Sequence, residues 1–164
     1  MAGLANGRNT PELADGGRMR VLPVEANTNV YLGGIVALDA AGNAVPAAAS
    51  VSPTVVALRI IGRAEMVLNG IPGENALNNP GAAGAISIVA RKGVFLFDNA
   101  TGLDAIAAAN VGSECFALDD HTVSMNDRAS GDTVQTRAAA GQIVAIDASG
   151  GIWVDFWHQS ISAT

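Results

Sequence analysis

Asp119-Asp120-His121 is the densest grouping of reactive side chains in the chain, since two carboxylates beside an imidazole could shuttle a proton or ligate a divalent ion. Neighbouring residues on a strand point to opposite faces, so these three converge only where the backbone turns. We read the segment as a turn between two strands, and a small hydrolase built on it as the weakest of three functional readings. The remaining histidine, His158, completes no His-x-x-x-His spacing, and Cys115 has no second cysteine for a zinc pair or an intrachain disulfide. Cys115 is expected to be a small buried hydrophobe. There is no Gly-x-Ser-x-Gly elbow and no Walker loop, and Gly81-Ala-Ala-Gly84 lacks the lysine and hydroxyl that a phosphate cradle needs. Asn99-Ala100-Thr101 has glycosylation spacing, a pattern short enough to arise by chance. Trp153 and Trp157, four apart, would share one face of a continuing strand and could stack on a sugar or anchor an interface. Trp153 is expected in the core and Trp157 at a contact surface. No cofactor and no metal are expected.

The elements that would position these residues are short. Apolar runs at Met19, Val21 and Val24 and from Val30 to Leu38 read as the first two strands. Asp39-Ala-Ala-Gly42-Asn43 then tolerates a tight reversal into Ala44 to Pro46. The same chemistry recurs at Val144-Ala-Ile-Asp147-Ala-Ser-Gly150 before Ile152-Trp153-Val154, which implies two similar hairpins. Val55 to Leu68 reads as one bent strand or two, broken at Gly62. Asn69 to Gly84, crowded with Gly, Pro and Asn, reads as a long irregular loop. Ala85 to Ala90 and Val94 to Phe97 read as a hairpin about Lys92-Gly93. One short helix is expected from Thr101 or Asp104 to about Ala109. Strands follow at Glu114 to Leu118, Thr122 to Met125, Thr133 to Arg137, Gln142 to Ile146 and Ile152 to Phe156. The fold class is all-β, a compact sandwich or barrel of short antiparallel strands, with residues 1–18 as an extended N-terminal arm and 19–164 as the β-rich domain.

Composition sets limits on partners. The 164 residues carry 9 Lys plus Arg against 15 Asp plus Glu, a formal charge of -6, which suits one domain and gives no electrostatic footprint for nucleic acid. The apolar share of 49% is inflated by 31 Ala, and only seven residues are aromatic, so the interior is built from small and β-branched side chains. The uncharged stretch from Ala40 to Leu58 contains Gly42, Asn43, Pro46 and Pro53 and is no membrane helix. Met1 to Arg20 lacks the basic and continuous apolar segments of a secretory leader, so the default expectation is the cytoplasm.

Taken in order, Val30-Tyr-Leu-Gly-Gly34 leading into Val36 to Pro46, Ile61-Gly-Arg-Ala-Glu65, Lys92-Gly-Val-Phe95, Asp119-Asp-His-Thr-Val123 and Gly141 to Phe156 form a pattern. Across roughly Asn29 to Phe156 it resembles the small head-decoration, or cement, proteins of tailed bacteriophages and prophages. The resemblance implies a noncatalytic β-rich protein on the outside of an icosahedral shell. Its partners would be the major capsid protein and further copies of itself, often as a homotrimer at local threefold positions, reinforcing the head against packaged DNA. Three copies engaging together would gain avidity of about 10² to 10⁴ over one. The arm residues Arg8, Pro11, Leu13 and Arg18, the loop residues Asn78 and Asn79, and Trp157 are the candidate capsid or subunit contacts. The alternative reading is an adhesive module that binds a glycan or a host surface through Trp153 or Trp157.

Overall fold

The computed structural model describes residues 18–48, 58–68 and 76–157, and these form an all-β protein in three layers. The arm residues Arg8, Pro11 and Leu13 lie outside the described residues, as do Val55 to Ala57 and His158. The middle layer is a sheet in the order β1-β7-β5-β3-β4, made of Met19–Pro23, Ser87–Arg91, Arg59–Leu68, Ile35–Leu38 and Ala44–Pro46. On one side of it stands a closed five-stranded barrel in the order β10-β8-β12-β11-β9, from Thr122–Ser124, Val94–Asn99, Ile152–Asp155, Ala139–Ile146 and Glu114–Ala117. On the other lies the ribbon of β2, Thr28–Tyr31, and β6, Ala76–Asn79.

The central strand β3 explains the layering. Its four residues, Ile35-Val-Ala-Leu38, are all buried, as a continuous apolar run must be when both faces of a strand are covered. Ile35 and Ala37 join the barrel-side core with Phe95, Phe97, Ile143, Val154 and Phe156. Val36 and Leu38 turn the other way, to Leu22, Val24, Val30 and Ile88. The expected unbroken strand from Val30 to Leu38 is therefore two strands in different layers. Gly33, at a φ of 86°, makes the break, and its N–H donates to the Ala64 carbonyl at 2.9 Å.

Both expected hairpins form, with matching turns. Asp39 N–H bonds the Asn43 carbonyl at 3.0 Å, Asp147 N–H bonds the Gly151 carbonyl at 2.7 Å, and Gly42 and Gly150 take φ values of 88° and 91°. The segment through Gly62 is one strand, β5, irregular in register against β3 between Val36 and Ala37 and against β7 between Ala64 and Met66. A side chain at Gly62 would run into the Arg91 carbonyl, so close packing of the two backbones requires glycine there.

Four expectations are corrected. Lys92-Gly93 is no hairpin: β7 pairs with β1 and β5, whereas β8 pairs with β12 and β10, so the chain passes here from the sheet into the barrel. The loop from Asn69 to Gly84 contains β6, held by pairing with β2. The short helix consists of two single 3₁₀ turns, Gly102–Asp104 and Ala108–Asn110. Thr133 to Arg137 is not a strand: the N–H groups of Thr136 and Arg137 both donate to the Asp127 carbonyl at 3.0 Å instead of entering a ladder, and the buried Arg137 side chain reaches the Asp104 carboxylate at 2.9 Å. In addition, β10 runs parallel to β8, the exception to an otherwise antiparallel barrel.

Candidate functional site

Asp119, Asp120 and His121 form the turn between β9 and β10. Asp119 Oδ1 accepts the N–H groups of His121 at 2.9 Å and Thr122 at 2.6 Å, so this carboxylate holds the turn closed. The Asp120 carbonyl accepts the Ile35 N–H at 2.6 Å and ties the turn to the central sheet. His121 Nδ1 lies 3.0 Å from Asp120 Oδ1, and that hydrogen bond, helped by the charges of Asp119, Asp120 and Asp98, raises the imidazole above its ordinary pKa against the opposing effect of burial. The turn brings the three side chains together, where they could gather a cation, although Asp119 Oδ1 is already taken up by two backbone N–H groups.

Other suggestive residues also serve the fold. Cys115 is buried, and desolvation pushes its thiol up to about 12, far from a reactive thiolate at neutral pH. Asn99 closes the following loop by exchanging hydrogen bonds with the Ile106 N–H and carbonyl, both at 2.9 Å. Arg137, 4% exposed, donates to Ser124 Oγ at 3.1 Å and to the Asn126 carbonyl at 3.0 Å as well as to Asp104.

Where the sheet meets the barrel, Arg63 and Arg91 both donate to Glu65 Oε1. Their guanidinium groups stand 4.2 and 4.9 Å from the centroid of the Phe95 ring. Burial acts to raise the Glu65 carboxyl, but the two arginines outweigh it and hold the group below its ordinary value.

Of the proposed contact residues, Arg18 is exposed and its carbonyl accepts the Lys92 N–H at 2.7 Å. Asn78 pairs through its backbone with Asn29. Asn79 is corrected as a surface contact. It is fully enclosed, and its amide donates to the carbonyls of Val24, Glu25 and Ala82 at 3.0 to 3.1 Å. Trp157 is 42% exposed, with Lys92 Nζ 5.9 Å from its ring centroid. Trp153, expected in the core, is only half-buried on the outer face of β12, because Ile152, Val154 and Phe156 take the inward positions. Among the described candidates, Arg18 and Trp157 meet through Lys92, whereas Asn79 is enclosed and Asn78 lies in the ribbon paired with β2.

The barrel does build one concavity that the residues alone do not announce. A cleft of about 680 Å³ opens between the last half of β8, Leu118, Thr122 and the tip of the β11–β12 hairpin. Leu96 is its apolar side chain from β8, the Phe97 ring being turned into the barrel core, and Asp98, Asn99, Thr101 and Ser149 add polar lining. Closure of the barrel brings these residues together from distant parts of the chain, so spacing carries no trace of them. The chain matches no family model, and no curated protein or solved structure matches it.

Proposed function

We propose that this chain is a noncatalytic decoration protein that binds the outer surface of a phage head through the major capsid protein, associates with copies of itself as a homotrimer, and stabilises the shell. The observation that carries the reading is where the segments of the resemblance fall. Gly33 and Gly34 connect β2 to the central strand, Gly62 and Glu65 stand at the sheet-barrel junction, and Lys92-Gly93 is the crossover. Asp119 to Val123 bonds the barrel to Ile35, and Gly141 to Phe156 closes the barrel. Polar chemistry in these segments goes into a cross-braced block, as a mechanical part requires.

Surface chemistry agrees with protein contacts. Val94, Leu96, Val144 and Trp157 are each more than 40% exposed on the barrel. Among the described residues no helix is long and apolar enough to cross a membrane. The test is to compare heads assembled with and without the chain. Heads carrying it in a fixed ratio to the shell protein, and bursting at a higher temperature or after stronger osmotic shock than bare heads, are expected. Equal survival of the two, or no retention on heads, would overturn the reading. A second reading, an adhesive module, draws on the exposure of Trp157 beside Lys92. It requires a glycan-array signal that Trp157→Ala abolishes.

A further inference from the structure

Two features at opposite ends of β8 fit one another. At the end where the chain enters the barrel, Trp157 projects with Lys92 against its ring, a cationic aromatic knob. Arg18 and Arg20 stand close by and are exposed, Lys92 being bonded to the Arg18 carbonyl and Arg20 pairing with Ala90 in the next strand. At the other end lies the cleft, lined by the exposed side chains of Leu96 and Asp98 on the outer face of β8. Asp147 holds Ser149 at the rim, Asp119 holds Thr122, and among the described residues no Lys or Arg lines the space.

We propose that Trp157 and Lys92 of one copy seat in this cleft of a second copy. Three physical points carry the assignment. The volume of about 680 Å³ is in the range of clefts that receive small organic groups, and so has room for an indole ring laid against its open side. The charges are complementary, cationic on the knob and anionic in the cleft, in a chain whose overall charge of -6 would otherwise keep copies apart. Lys92 and Asp98 are six positions apart along an extended segment, about 20 Å at the rise of a strand, so a knob cannot reach its own cleft. The contact is therefore head to tail. Such a heterologous interface closes a ring when the rotation permits and otherwise extends into a chain of copies. Tryptophan is a residue type on which binding free energy concentrates, and the Lys92-Asp98 attraction would set orientation and salt dependence.

The inference rests on the self-association part of the proposed function and is tested on the isolated full-length chain, apart from any head. Sedimentation equilibrium at low salt is expected to show an oligomer whose dissociation constant rises at least tenfold in Trp157→Ala, in Asp98→Lys, and in Thr101→Arg, which fills the cleft. Exchanging the charges, Lys92→Asp with Asp98→Lys, is expected to restore association. The decisive measurement mixes two variants: Trp157→Ala retains a cleft and Asp98→Lys retains a knob, so together they should form one-to-one pairs that neither forms alone. Circular dichroism confirms that each variant is folded, and the exposed site at Thr101 supplies the cleft variant if Asp98→Lys does not fold. A wild-type chain that stays monomeric at hundreds of micromolar, an oligomer indifferent to both sets of substitutions, or a mixture that stays monomeric would each overturn the proposal. Retention on heads by a monomeric chain would sink this contact and leave shell binding standing.

Discussion

A single enclosed amide shows how far residue type can mislead about role. Asn79 belongs to a polar, turn-rich stretch and so reads as a surface residue. Pairing of β2 with β6 instead carries it inside, where its amide donates to three carbonyls and its oxygen accepts the Gly81 N–H at 3.2 Å. Asn79→Ala takes their partner from the Glu25 carbonyl and the Gly81 N–H, while the Val24 and Ala82 carbonyls keep the N–H groups of Gly84 and Ala85, and a loss of about 1 to 3 kcal/mol is expected from the groups left without a partner. Urea denaturation checks it, and a change below 0.5 kcal/mol would show that the backbone finds other partners, as unexceptional surface substitutions do. Asp119 is the opposite case. Three consecutive polar residues can converge only at a turn, so its position was legible from backbone geometry alone, and its carboxylate caps that turn.

At the scale of elements, what could be read depended on whether the determinant was local. The two Asp-x-x-Gly hairpins were legible because each turn is made by its own five residues. The Lys92-Gly93 crossover was not, since a turn signal fixes a change of direction and says nothing of which strand lies alongside next. Thr133 to Arg137 alternates like a strand, but Arg137 follows a carboxylate 33 positions earlier in the chain, beyond the reach of any pattern window. The cleft was illegible for the same reason. The junction of sheet and barrel is the element-scale feature with a measurable consequence. Glu65, with its side chain 24% exposed, is the shared acceptor of Arg63 and Arg91. Glu65→Gln is expected to lower stability by about 1 to 3 kcal/mol at neutral pH, the range for hydrogen bonds to a charged group. Its carboxyl is held below the ordinary 4.5, so the stabilisation is present above that value and is lost as pH falls through the lower folded value. The gap in urea midpoint between wild type and variant should therefore shrink on acidification below pH 4.5. A gap constant across that range would mean that the carboxylate charge contributes nothing.

For the whole molecule, the three-layer arrangement makes the central sheet the common wall of two cores, which draw on residues from Leu22 to Phe156. Removing Met1 to Gly17, which has few large apolar side chains, is expected to leave the β domain folded while weakening attachment to heads. Thermal melting by circular dichroism, together with head retention, checks both halves. Collapse of the cooperative transition would place the arm in the fold instead. All-β character was legible from the Val- and Ile-rich runs, but their division between a sheet and a barrel was set by pairings across the full length of the chain. At the crossover, the Arg18 carbonyl accepts from Lys92, and the Gly93 carbonyl accepts from the Phe156 N–H at 3.0 Å. The first described strand thus starts, and the last finishes, beside the same pair of residues, Lys92 and Gly93. A bridge of a few residues, at about 3.3 to 3.6 Å each, would span that gap. The order of the chain could then be rewired, with new ends opened in the Asp39–Asn43 or Asp147–Gly151 turn, and passenger sequences fused at residues 18 and 157 would project as neighbours from a single site.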